Sequence, residues 1–158
     1  MLHYKRKVTL RTKLIILLMA IMPTLTFAQN STRKVNYEEF IAKFKKTQLT
    51  PETFKEALVV AGLPKSHVEQ IYKHARSESG NFKSKVFREN NNAFGMRLPK
   101  RRTTTAIGKN KGYAIYKDWY DSVYDYWLWY ERKPIASNQS WGTYLRSRNY
   151  MHPKDKKK

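Results

Sequence analysis

The residue with the most chemical potential in this chain is Glu78. Ser66 and Glu69 have capping-box spacing, which predicts a helix start. Val68, Ile71, Tyr72 and Ala75 then recur at the i, i+3, i+4, i+7 spacing of a core-facing stripe. Glu78 continues that stripe, and Gly80 offers the left-handed stop. A carboxyl group on an apolar face, in a last turn where the helix dipole opposes negative charge, is expected to favour its protonated form. A carboxylic acid held neutral near neutral pH is what a general acid for glycosidic cleavage requires. The competing reading is a helix-end glutamate that reaches past the stripe into water.

The elements that must position Glu78 follow from the rest of the pattern. Asn36 and Glu39 have cap spacing before a stripe of Tyr37, Phe40, Ile41 and Phe44. Thr50-Pro51 opens a second helix with Phe54, Ala57, Leu58 and Ala61 on one face, and Gly62 ends it. Three short helices in tandem imply a helical lobe. Past Gly80, residues 84–89 fit one helical turn, and Asn90-Asn91-Asn92 interrupts it. Residues 93–97 read as a strand, 99–102 as a basic loop, and 103–107 as a β-branched strand. Residues 108–112 read as a hairpin turn, with 113–116 as the return strand. Asp118 caps another helix with Trp119, Val123, Tyr126, Trp127 and Tyr130 at core spacing, and Asp121 adds an acid to its first turn. Nine of the chain's 22 aromatic residues fall in 113–130, more than one helix face is expected to bury, so some rings are expected to line a groove. Residues 140–148 form a last short helix, and 154–158 a basic tail. The expected fold class is α+β, mostly helical, with a small antiparallel β-hairpin lobe.

The first 28 residues bear on where this chemistry would take place. Lys5, Arg6, Lys7, Arg11 and Lys13 form a basic start without an acid, and residues 14–22 are an unbroken apolar run. That run is too short to span a bilayer, which needs about 20 residues. With Pro23 and the small residues Thr26 and Ala28 it reads as a signal peptide cut after Ala28, a signal anchor being the competing reading. The remaining 27 basic and 12 acidic groups give a net charge of +15. An exported basic chain points to an anionic envelope polymer rather than to nucleic acid, and no stable membrane insertion is expected once the leader is removed. There is no cysteine, and His3, His67, His74 and His152 have no metal-ligand spacing, so neither metal nor cofactor is expected. The sequence leaves the oligomeric state open.

Four blocks carry a resemblance: S-E-S-G-N-F at 77–82, E-N-N-N-A-F-G-M at 89–96, G-Y-A-I-Y-K-D-W-Y-D-S-V at 112–123 and R-N-Y-M-H-P at 148–153. In order and spacing they resemble the glucosaminidase-type domain family, a mannosyl-glycoprotein endo-β-N-acetylglucosaminidase-like group allied to glycoside hydrolase family 73. The resemblance implies a lysozyme-like α+β fold, a single domain over 29–153, and cleavage of β-1,4 bonds beside N-acetylglucosamine in peptidoglycan. It puts the catalytic acid at Glu78 and the cleft floor at Asn91, Asn92, Phe94 and Gly95. It puts the aromatic wall at Tyr113 and Tyr116, followed by Trp119, with Tyr116 as a second catalytic candidate. Where the family usually has Gln-Ala ahead of the acid motif, this chain has His74 and Ala75, and Ser77 replaces the usual apolar residue before the acid.

The second carboxylate that many relatives carry in the hairpin lobe is missing, since residues 90–117 contain no Asp or Glu. A two-carboxylate mechanism needs a partner about 5 to 9.5 Å away. Glu89, Asp118 and Asp121 are the neighbours in sequence. The one-acid routes are attack by the substrate's own N-acetyl group, water oriented by Tyr116, or closure to an anhydro sugar as in lytic transglycosylases. Three functions compete: an exported peptidoglycan hydrolase acting on glycan strands, a lysozyme-like module that holds glycan without cutting it, and a cationic membrane-active protein.

Overall fold

The computed structural model describes residues 36–150. The expected leader at 1–28 and tail at 154–158 lie outside the described residues. The described chain is about half helical, with six α-helices and one two-stranded sheet. It is the mostly helical α+β class that the periodicities predict.

The first two helices start as their caps predict. Asn36 Oδ1 accepts the Glu38 amide at 3.1 Å, and α1 (Tyr37–Phe44) buries Phe40 and Phe44. Thr50 and Thr53 form a reciprocal box ahead of α2 (Pro51–Ala61), with proline at its first position. Gly62 ends α2 at φ +105, and a Cβ there would stand 2.8 Å from the Trp127 Nε1, so only glycine fits. The third start differs from expectation. Ser66 does not cap; its hydroxyl lies 3.0 Å from His67 Nδ1, and Glu69 pairs with Lys55 at 2.7 Å instead of reaching back. A 3-10 turn (Lys65–His67) leads into α3 (Val68–Glu78) without a side-chain cap.

Ser84 Oγ accepts the Phe87 amide and opens α4 (Lys85–Asn90). The hairpin is shifted from its expected register. Strands β1 (Gly108–Asn110) and β2 (Tyr113–Ile115) pair antiparallel, with Lys109 opposite Ala114. The turn is the two residues Lys111 and Gly112, at φ +51 and +85, a left-handed pair that matches strand twist. Residues 93–97 are not a strand but a turn and loop, and 103–107 are outside any strand, although the Ile107 amide donates to the Ile115 carbonyl at 2.9 Å. Their polar groups are used elsewhere: the Thr105 hydroxyl donates to the Asp121 carbonyl at 2.7 Å, and its amide reaches Asp125.

Helix α5 (Trp119–Tyr130) runs through the core, with ten of its twelve residues buried. A helix apolar all round must be covered all round, and here α2, α1, the 91–96 loop and α6 (Trp141–Ser147) share that task. The rings of 113–130 therefore serve mainly as core rather than as a groove. Trp129 and Tyr113 remain half-buried.

Candidate active site

Glu78 is the last residue of α3 and its side chain is exposed. The inward stripe continues through Ser79, which is fully buried and whose hydroxyl donates to the Ala75 carbonyl at 2.7 Å and accepts the Phe82 amide at 2.9 Å. The expectation of a desolvated Glu78 on the apolar face is thus corrected. The position four residues past Ala75, Ser79, points inward, and the Glu78 carboxylate, three residues past Ala75, is exposed. Gly80, Asn81 and Phe82 then take φ values of +57, +56 and +61. The Asn81 amide returns to the Arg76 carbonyl at 2.7 Å, and the Ser84 amide to the Ser79 carbonyl at 2.9 Å. The chain is folded back on itself directly after the acid.

Across from Glu78 stands Gly95. Its φ is +64, and a Cβ added there would lie 3.2 Å from Glu78 Oε2. The carboxylate therefore rests over the bare α-carbon, where side chains are strained by both conformation and contact. The loop bearing Gly95 is fastened by amide side chains. Asn91, in the left-handed region at φ +51, donates from Nδ2 to the carbonyls of Tyr116 and Lys117. Asn92 is buried; its Nδ2 donates to the Met96 and Ala114 carbonyls at 2.8 and 2.9 Å, and its Oδ1 accepts the Met96 amide. Phe94 is fully buried, its ring stacked on Tyr126 at 3.8 Å and 9°.

Tyr150 comes from beyond α6, and its hydroxyl donates to the Phe94 carbonyl at 2.7 Å, pinning the peptide that leads into Gly95. Its ring stands edge-on to His74, Tyr126 and Trp129. Burial, and next the Glu78 charge, push the Tyr150 hydroxyl well above the usual phenol range. His74 lies one turn before Glu78 with its ring among Phe94, Tyr126 and Tyr150. Its Nε2 and the Tyr126 hydroxyl are buried without a hydrogen-bond partner among the described residues. Burial pushes the His74 pKa down to about 4.

Of the residues expected in the site, Glu78 and Gly95 meet, Phe94 is buried behind Gly95, and Asn91 and Asn92 fasten the loop that carries both. Tyr116 is buried next door; its hydroxyl donates to Asp125 Oδ2 at 2.7 Å, and burial, then the Asp125 charge, raise it far above its ordinary value. Tyr113 is half-buried in β2, opposite Asn110. Trp119 is elsewhere: it packs in the core, stacked on Phe54 at 5.8 Å and edge-on to Phe44. Sequence reasoning missed Asp125, fully buried and held bidentately by Arg102 at 2.7 and 2.8 Å. It also missed the role of Tyr150, although its block was among the four quoted above.

Two cavities lie outside this corner. One of about 430 Å³ is lined by residues including Tyr72, Arg76, Asn81 and Phe82; one of about 620 Å³ by residues including Tyr37, Thr105, Tyr124 and Trp127. Neither includes Glu78 or Gly95 in its lining. Among the described residues no cluster of three His, Asp or Glu stands close enough to hold a metal ion.

The corner is an exposed carboxylate over a glycine, backed by aromatic rings and a tethered backbone, an arrangement able to present a proton to an oxygen lying in front of it. Neither the curated proteins nor the solved structures give a match. The family model Glucosaminidase, described as mannosyl-glycoprotein endo-beta-N-acetylglucosaminidase, matches residues 51–157, a span that runs from α2 past α6 and holds every residue placed around Glu78. The chain therefore belongs to the glucosaminidase family.

Proposed function

We propose that this protein is an exported peptidoglycan hydrolase that cleaves β-1,4 bonds next to N-acetylglucosamine, with Glu78 as the general acid. Membership of the family supports a glycan-cleaving hydrolase in general. The observation that carries the finer reading is the placement of Glu78 Oε2 against Gly95 on a loop held by Asn92 and Tyr150. Glu78 gives its proton to the glycosidic oxygen as the C1–O bond breaks, and positive charge develops at C1. Asn91, Asn92, Phe94 and Gly95 form the floor behind the sugar, with Tyr113 at its rim. Tyr116 acts through Asp125, to which its hydroxyl is committed, and holds the wall of the site. Trp119 lies in the core against Phe54 and Phe44 and is assigned no contact with the sugar.

The other carboxylates near in sequence have structural partners. Asp118 and Asp121 close a capping box, and Asp121 also accepts from Tyr37 at 2.8 Å. Asp125 is held by Arg102 and Tyr116, and Glu89 lies between Lys85, Lys111 and Asn110. This favours a one-acid route. The substrate's N-acetyl oxygen attacks C1, and the Glu78 carboxylate then takes a proton from the water that opens the ring. The same observation favours a second reading, in which a 6-hydroxyl of the sugar attacks C1, loses its proton to Glu78 and leaves an anhydro end.

Export rests on the leader pattern of residues 1–28. Among the described residues no helix is long and apolar enough to cross a membrane. Sequencing the secreted protein from its first residue tests this, with Gln29 expected.

Mass analysis of digested sacculi tests the chemistry. The wild type is expected to release fragments with N-acetylglucosamine at the new reducing ends, and Glu78→Gln to lose about 10³-fold in rate. Equal release by the variant sinks the assignment of Glu78. Anhydro ends select the second reading, and retained binding without release makes the protein a glycan-holding module.

A further inference from the structure

Charge is divided unevenly along the described chain. Residues 36–80 carry seven Lys and Arg against six acids. Residues 81–117 carry ten against one, Glu89. Folding removes little of that excess. Arg102 turns inward to Asp125, and Glu89 is shared by Lys85 and Lys111 at 3.6 and 3.8 Å. Arg97, Lys100, Arg101 and Lys109 stay exposed and make no ion pair among the described residues.

Arg97 and Lys109 lie near the corner that holds Glu78, with Lys100 and Arg101 on the loop between them in sequence. Arg97 lies two residues past Gly95. The Ala114 amide donates to the Met96 carbonyl at 2.9 Å, and Lys109 faces Ala114 across the hairpin. Two strand spacings, about 10 Å, thus separate the backbone beside Gly95 from Lys109. Among the described residues the exposed large apolar side chains are Leu98 and Ile107, both aliphatic, and the hairpin's Tyr113 is half-buried. Two aliphatic side chains beside the guanidinium forks of Arg97 and Arg101 and the ammonium groups of Lys100 and Lys109 suit a carboxylate carried on short aliphatic groups, which is the chemistry of a peptide branch.

We infer that this basic face binds the carboxylates of peptide branches on the glycan, so that the substrate is a peptide-bearing strand rather than a bare N-acetylglucosamine oligomer. The inference rests on the hydrolase reading for the nature of the strand, and it assigns the face that selects among strands. Long-range attraction of this kind concentrates a polyanion at the site and fades as salt screens it.

The test is co-sedimentation of the full chain with sacculi at low and high salt. Arg97→Gln/Lys100→Gln/Arg101→Gln/Lys109→Gln is expected to bind native sacculi about tenfold more weakly at low salt, with the difference closing at about 0.5 M, where screening lengths shrink to a few Å. Sacculi whose carboxylates are capped as neutral amides are expected to bind wild type and variant alike. Removing four charges from the helical half, as Lys45→Gln/Lys46→Gln/Lys65→Gln/Lys73→Gln, is expected to leave affinity unchanged. Equal weakening by both quadruple variants overturns the inference, because net charge then suffices. So does affinity that falls only when phosphate polymers are stripped from the wall, or that is higher for anionic phospholipid vesicles than for sacculi. Binding needs no catalysis, so Glu78→Gln serves as a second background. If it binds like the wild type while the wild type releases no sugars, the hydrolase reading fails and the face remains.

Discussion

Asp125 and Glu78 are both carboxylates on helices beside the same aromatic cluster, yet they are used in opposite ways. Asp125 is fully enclosed on α5, and its oxygens are taken by Arg102, Tyr116 and the Thr105 amide. Glu78 stands at the open end of α3 over Gly95. A buried charge survives only with partners in place, and the partners then leave it no freedom to exchange a proton with a substrate. The fold encloses one of these acids and leaves the other exposed at the rim, over a loop held by Asn92 and Tyr150.

Breaking the enclosed carboxylate is expected to have the largest effect on stability. Asp125→Asn leaves the Arg102 guanidinium facing a neutral amide inside the protein, where loss of one partner costs about 3 to 5 kcal/mol. Urea unfolding measures this, and Glu78→Gln is expected to lie within about 0.5 kcal/mol of wild type in the same assay. Should the two variants prove equally stable, the distinction between the carboxylates disappears.

An effect of similar kind comes from His74. Its pKa is about 4 in the fold against 6.5 for a free side chain, so between those values the unfolded chain binds more protons. The stability it confers is complete above pH 6.5 and lost as the pH falls toward 4, a difference of about 3 kcal/mol. Subtracting the curve of His74→Phe from that of the wild type isolates it; a difference that does not vary over this range refutes the assignment.

The smallest expected effect separates two glycines of the same hand. Gly95→Ala and Gly112→Ala each force a side chain into the left-handed region, at a cost of about 1 to 2 kcal/mol. Nothing stands within 4 Å of a Cβ at Gly112, whereas one at Gly95 meets Glu78. Both variants are expected to melt lower, and only Gly95→Ala to lose turnover, by about tenfold, through displacement of the carboxylate.

The sequence was legible where contacts are local. The stripes and caps of α1, α2 and α5 are set by residues three and four apart, and the structure keeps them. Glu78 and Gly95 could be named because they sit in recognisable blocks. The hairpin was misread because β-branched residues at 103–107 look like a strand, while their bonding partners, Asp121 and Asp125, lie 16 and 20 residues away on α5. Arg102 looked like one more surface cation until Asp125, 23 residues on, claimed it. The exposure of Glu78 turned on whether the stripe continues three or four residues past Ala75, and both spacings fit a helix face. Tyr150 reaches across 56 residues to Phe94, and no local pattern encodes that distance.

The consequence for engineering lies in the three left-handed residues after Glu78. A right-handed continuation would carry the backbone onward along the α3 axis and away from Gly95, so the reversal at Gly80, Asn81 and Phe82 is what brings the two ends of the corner together. Transplanting this acid to another scaffold would mean moving residues 78–82 as one cassette, because the helix alone does not contain the bend.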